Sequence, residues 1–371
     1  MLKILVVFGT RPEVIKMYPI IKELRKYPQA FNCRVCLTGQ HKEMVEPLLD
    51  FFQIKIDYDL KIMGQNQSLE HITSTVMQKL KEIFDKDRPD ILLVQGDTTT
   101  CMAASLEAYY QKIKVGHIEA GLRTGDIYQP FPEEVNRKII DSISAFLFAP
   151  TDYAKEILLK EGFQEKLITV TGNTVIDSLL ETKEKEFQMK GSLLENIPFT
   201  TKTIVLVTAH RRENFGDPLI NICEAVKEIA LKHEDVHFVY PVHLNPNVRE
   251  TVFSILDNIE NVSLLDPLDY FTFVYLMKFS FIILTDSGGL QEEAPSLHVP
   301  VLILRNTTER PEALKINATR IIGTNKNDIV QATIELLEEI KVYKSMANTI
   351  NPYGDGKAAE RIVKCLLKEV S

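Results

Sequence analysis

The sequence of 371 residues contains no apolar run approaching the ~18 residues of a membrane-spanning helix, which argues against a membrane partner. Its opening, Met1 to Phe8, lacks the basic start and small-residue cleavage site of a secretory signal, and reads as a first strand. Cysteine is scarce: five residues, an odd number, give no disulfide framework and suit reduced thiols in a cytoplasmic setting. Positive charge is not in excess either. The net charge of -8 argues against broad nucleic-acid binding, so an anionic partner needs a local cluster of cations and amides, which favours a small phosphorylated ligand. The phosphate-loop pattern G-x-x-x-x-G-K-[ST] is missing, as are a serine elbow, any repeat of 20–50 residues and any low-complexity segment.

What is present is an α/β pattern. The length exceeds what one hydrophobic core usually supports, so about two domains are expected. Short β-branched runs recur at 3–8, 34–37, 91–95, 115–118, 146–149, 168–171, 203–208, 236–240, 262–265, 281–285 and 301–304. Amphipathic helical patterns lie between many of them, for example at 68–84, 219–232 and 329–346. Alternation of this kind builds parallel sheets, and the count fits two Rossmann-like doubly wound domains facing a cleft. The charged stretch 177–202 places the change of unit near 174: residues 1–173 are expected to form the first domain and 174–355 the second. Cys33 and Cys36 match C-x-x-C but sit inside a strand run and read as strand residues. The spacing of His233 and His237 resembles a metal pair, yet His237 falls in a strand run, so no metal site is expected. Gly354-Asp355-Gly356-Lys357-Ala358-Ala359 follows no strand and reads as a turn into the last helix.

In doubly wound sheets ligands bind beyond the carboxyl ends of the strands, so motifs at strand ends matter most. Gly9-Thr10-Arg11-Pro12-Glu13 ends the first strand. Gly9 permits a turn, Pro12 suits the first helical position, and Arg11 and Lys16 flank a helix start whose free amides favour phosphate. A helix cap with solvated cations is an equal alternative. Pro19 predicts a break or kink one turn later. Asp97 and Glu119 stand at further strand ends, and Glu133 opens a helix, so three carboxylates converge on one rim as candidate acids or bases. Each alone could be a cap. The second half offers His210 and Arg211 after its first strand and His243 after its second. It also carries Ser287-Gly288-Gly289 at a helix start, whose bare amides can approach a pyrophosphate. Glu293 lies about one turn on, within reach of a ribose, and Arg310 adds a cation.

Assembled in order, F-G-T-R-P-E-x-I-K, G-D-T-T-T, H-I-E-A-G-L-R-T, P-F-P-E-E-x-N-R, T-G-N-T-V-I-D, T-A-H-R-R-E-N, Y-P-V-H-L-N-P, T-D-S-G-G-x-Q-E-E-A-P-S-L, T-T-E-R-P-E and N-P-Y-G-D-G span almost the whole chain. The sequence resembles the non-hydrolysing UDP-N-acetylglucosamine 2-epimerases. That resemblance implies a glycosyltransferase-B type fold with residues 356–371 returning to the first domain. It also implies reversible, cofactor-independent interconversion of UDP-GlcNAc and UDP-ManNAc, supplying ManNAc units for a surface polysaccharide. The family reaction eliminates UDP to a bound 2-acetamidoglucal and then adds it back. By resemblance Asp97, Glu119, Glu133 and His210 are catalytic. Arg11, Lys16, Asp97, Glu119, His210, Ser287, Gly288, Gly289, Glu293 and Arg310 bind substrate, with Leu268 and Phe273 at the uracil. Gln40, His41, Gln67, Arg211 and His243 match an activating UDP-GlcNAc site, and a homodimer is implied. The competing readings are a hydrolysing epimerase that releases UDP and free ManNAc, a glycosyltransferase of the same fold, and a non-catalytic UDP-sugar sensor.

Overall fold

The computed structural model describes residues 1–39, 42–62, 68–308 and 310–370, the side chains of 42–44 apart. The chain divides into two compact units, Met1–Ser178 with Tyr353–Ser371, and Leu179–Pro352. The first is built on β1 (Leu2–Phe8), β2 (Phe31–Leu37), β3 (Tyr58–Asp59), β4 (Ile91–Gln95), β5 (Lys114–Ile118), β6 (Phe146–Ala149) and β7 (Ile168–Val170). They pair in parallel in the order β3-β2-β1-β4-β5-β6-β7. The second holds β8 (Thr203–Thr208), β9 (Val236–Pro241), β10 (Val262–Leu265), β11 (Ile282–Thr285), β12 (Val301–Ile303) and β13 (Thr319–Ile321), also parallel, in the order β10-β9-β8-β11-β12-β13. Central strands such as β1 and β8 are runs of Val, Ile and Leu because helices cover both faces of a parallel sheet. In each sheet the order reverses at one place, β1/β4 and β8/β11. The crevice beyond those strand ends is where such sheets bind ligands.

The structure departs from the sequence reading in three places. Strands β3 and β13 were not expected. They are edge strands of two and three residues, too short to show an alternating pattern. The single helix expected over 329–346 is two, Lys326–Glu338 and Ile340–Ala347, separated at Glu339, whose ψ of 83° is not helical. Pro19 does not break the first helix, which runs Arg11–Leu24. Proline at 19 frees the carbonyl four residues earlier, that of Ile15, and the buried Ser178 hydroxyl donates to it at 2.5 Å. The chain divides after Ser178. Ser178 is tied to Ile15, while Asp177 accepts from the amides of Ala358 (3.2 Å) and Ala359 (2.9 Å) and so caps the last helix, Ala358–Leu367.

Burial pushes the Asp177 carboxyl up to about 6 against the pull of its two amide donors. A carboxyl that binds its proton more tightly in the folded state contributes stability that is full below its unfolded value, ~4, and is lost as pH rises through 6. Denaturant unfolding at pH 4.5 and pH 7 is expected to show a loss of ~2 kcal/mol in the native protein that Asp177→Asn lacks. Equal pH dependence in both proteins would refute the assignment.

All five cysteines are free. Cys33 and Cys36 lie in β2, and burial pushes the Cys33 thiol up to about 12 and Cys36 higher still, the opposite of a reactive thiolate. Among the described residues no helix is long and apolar enough to cross a membrane.

Candidate functional site

The β1/β4 reversal of the first unit carries most of the predicted chemistry. At the end of β1 the carboxylate of Glu13 turns back on its own helix start. Its Oε2 accepts from the amides of Gly9 (2.8 Å) and Thr10 (2.6 Å), and its Oε1 from the Thr98 hydroxyl (2.7 Å). The Cys101 sulfur lies 2.8 Å from the same Oε1. Glu13 is 1% exposed, so the anion at this helix start is the protein's own. Two of the amides at this turn, those of Gly9 and Thr10, are therefore occupied, which leaves the side chains of Arg11 and Lys16 as the cations available for an anion. Arg11 is half-buried, and its guanidinium has no partner among the described residues. Lys16 Nζ donates to Glu119 Oε2.

Glu119 follows β5 with a φ of +71°, a conformation few side chains adopt and one that tends to mark functional sites. Its side chain is 5% exposed, held between Lys16 and the Gln95 amide, which donates to Oε2 at 2.5 Å. Two residues on, Gly121 is obligatory: at φ +85° a Cβ would meet the Ala154 carbonyl at 2.6 Å. Asp97 follows β4. Its carboxylate pairs with Arg137 at 2.5 Å, and its carbonyl accepts from the Asn136 side chain at 2.8 Å. Both partners lie on the helix Glu133–Ile143, whose first residue is Glu133. Glu133 is half-buried and its carboxylate forms no ion pair or hydrogen bond among the described residues. Glu134, its neighbour, is buried and spent on structure, accepting from the amides of Thr124 (3.0 Å) and Gly125 (3.3 Å). Thus two candidate carboxylates each face a cation and the third is bare.

The β8/β11 reversal of the second unit is organised by Asp286, which is fully buried. Its Oδ2 accepts from the amides of His210 and Arg211, both at 2.8 Å, and from the Asn214 side chain at 3.0 Å. Its Oδ1 stands 3.5 Å from His210 Nδ1. The His210 ring stacks on His243, with centroids 5.4 Å apart. Burial holds His210 below the usual imidazole range, opposed by Asp286 and reinforced by His243 and Arg211, so it is neutral at pH 7. His243 Nδ1 accepts from the Asn245 amide at 3.1 Å. After β11, Ser287 precedes the short helix Gly288–Glu293, and its hydroxyl makes no cap. Gly289 is exposed, Glu293 is half-buried, and Arg310 Nε donates to the buried Glu292. Leu268 is 6% exposed, so its side chain belongs to the core, and Phe273 is half-buried in the helix Tyr270–Lys278. Gln40, His41 and Gln67 lie outside the described residues. Among the described residues no three His, Cys, Asp or Glu side chains are grouped to hold a metal ion.

Sequence reasoning missed the residues that hold the candidates in place: Glu13, Gln95, Asn136, Arg137 and Asp286. One signal was available. Glu133, Arg137 and Asp141 recur every four residues, which puts them on one face of a helix.

The family model described as UDP-N-acetylglucosamine 2-epimerase matches residues 22–367. UDP-N-acetylglucosamine 2-epimerases of Yersinia pestis and Escherichia coli K12 are 50% and 49% identical over 370 residues, covering 98% of this chain and of each relative. The crystal structure of the Neisseria meningitidis UDP-GlcNAc 2-epimerase bound to UDP-GlcNAc superposes with a TM-score of 0.91 at 49% identity, covering 99% of this chain and 100% of that one. On these grounds the chain belongs to the UDP-N-acetylglucosamine 2-epimerase family.

Proposed function

We propose that the protein interconverts UDP-GlcNAc and UDP-ManNAc by inversion at C2, without a cofactor. The reading is carried by 49% identity, over 99% of this chain, to a relative whose crystal structure is described as bound to UDP-GlcNAc. The C2 proton has no adjacent carbonyl to acidify it, so direct abstraction is difficult. Anti elimination of UDP avoids the problem: a base takes the C2 proton as the C1–oxygen bond breaks, giving 2-acetamidoglucal and UDP. Return of a proton to the opposite face, with re-addition of UDP at C1, completes the inversion. Charge develops on the departing diphosphate, where preorganised donors are most effective. We assign the nucleotide to Ser287, Gly288, Gly289, Glu293 and Arg310 of the second unit, with uracil at the main chain of Leu268 and near Phe273. We assign the sugar chemistry to Asp97, Glu119 and Glu133 of the first. Neutral His210 donates an N–H to the leaving phosphate, and Arg11 adds the charge that Lys16, already paired with Glu119, supplies only in part. A cytoplasmic homodimer providing ManNAc units for a surface polysaccharide fits this activity. Arg211 and His243, close to His210, are assigned to an activating UDP-GlcNAc site.

Incubation with UDP-GlcNAc in deuterium oxide, followed by NMR, is the test. UDP-ManNAc carrying deuterium at C2 is the expected product. Release of free ManNAc would favour a hydrolysing enzyme, transfer to an added acceptor would favour a glycosyltransferase, and absence of C2 exchange would remove the epimerase reading.

A further inference from the structure

Behind the rim of the first unit lies a buried charge cluster that this mechanism does not use. His117, on β5, has no exposed side-chain surface. Its Nδ1 is 2.6 Å from Asp141 Oδ1 and its Nε2 is 2.8 Å from the carbonyl oxygen of Gly96. Both neighbours are acceptors. A neutral imidazole has one N–H and could satisfy only one of them, so the geometry calls for a proton on each nitrogen. The countercharge is Asp141, whose Oδ2 also takes the Arg123 guanidinium at 2.8 Å and the Gly121 amide at 3.3 Å. Burial alone would raise the Asp141 carboxyl, yet His117 and Arg123 hold it below the usual range, so it is the ionised partner.

The cluster ends on both candidate loops. Gly96 immediately precedes Asp97, and Gly121 lies two residues after Glu119. Asp141 also stands two turns beyond Glu133 on the helix that sends Asn136 and Arg137 to Asp97. We propose that Asp141, acting through His117, is a positioning residue that fixes the Asp97 and Glu119 loops relative to each other. With Asp141 neutral, His117 loses its second proton and releases either Asp141 or the Gly96 carbonyl, and the Gly121 amide loses an ionic acceptor. Both loops then gain freedom. This rests on the assignment of Asp97 and Glu119 to the chemistry.

The experiment is Asp141→Asn, with kcat, KM, UDP affinity by calorimetry, and nitrogen NMR of the histidines at neutral pH. Displacement of a reacting group by an ångström costs up to ~100-fold, so kcat is expected to fall about 10- to 100-fold while KM and UDP affinity stay within about threefold. The wild-type protein is expected to show both His117 nitrogens protonated, and the variant only one. Should Asp141→Asn fail to fold, His117→Gln is expected to give the same loss of kcat at unchanged KM. A wild-type His117 with a single protonated nitrogen, a folded Asp141→Asn variant with unimpaired kcat, or parallel losses of kcat and UDP affinity would overturn the proposal. Absence of C2 exchange by the wild-type protein counts instead against the epimerase reading beneath it.

Discussion

Asp97→Asn is expected to abolish deuterium incorporation at C2 while leaving UDP affinity within about threefold of the native protein. The change keeps size and shape but removes the carboxylate that Arg137 faces at 2.5 Å. A positioned acid or base contributes roughly 10²–10⁴-fold to a proton-transfer step, and the variant should fall by at least the lower figure. UDP affinity is the control, because Asp97 is not among the residues assigned to the nucleotide. The Asp97 carbonyl is held by Asn136 and the Gly96 carbonyl by His117, so the loop has supports besides the carboxylate. Loss of UDP binding together with exchange would make Asp97 a structural residue. Retained exchange would pass the proton to Glu119 or Glu133.

Gly289→Val is expected to do the reverse, costing UDP affinity about 100-fold, ~2.7 kcal/mol, in a protein that folds normally. Gly289→Ala is expected to cost about tenfold. Gly289 is exposed, and a Cβ there would lie 3.4 Å from Glu293 Oε1 and 3.9 Å from Ser287 Oγ, which are ordinary contacts. The fold therefore has room for a Cβ, and alanine is a better helix former than glycine. The objection would come from the ligand, whose diphosphate is assigned to the bare amides at this helix start. Calorimetric titration with UDP decides it. Unchanged affinity in a folded Gly289→Val protein would remove the Ser-Gly-Gly turn from the nucleotide site.

These two predictions rest on motifs legible in the sequence, but the supporting network was not. Residues 8–16 began as an even choice between helix cap and anion site, and the structure divides the answer. The backbone is a cap, because Glu13 occupies the amides of Gly9 and Thr10, while Arg11 keeps a guanidinium with no partner among the described residues. Glu13 stood within the quoted motif, yet its reach to Thr98, 85 positions away, depends on β1 and β4 being neighbours. The helix runs on through Pro19 for the same reason: the hydroxyl that bonds the freed Ile15 carbonyl comes from Ser178, 163 positions on.

By itself the sequence determined the two parallel sheets, because β-branched runs and helical periodicity are local properties of the chain. It also determined which residue types stand at strand ends, since a motif directly after a strand is carried there by the backbone. Only the tertiary structure decided which charges face one another. Lys16 with Glu119, Arg137 with Asp97 and His117 with Asp141 are pairs made by strand order and helix packing, and no periodicity along the chain encodes a contact across 103, 40 or 24 positions.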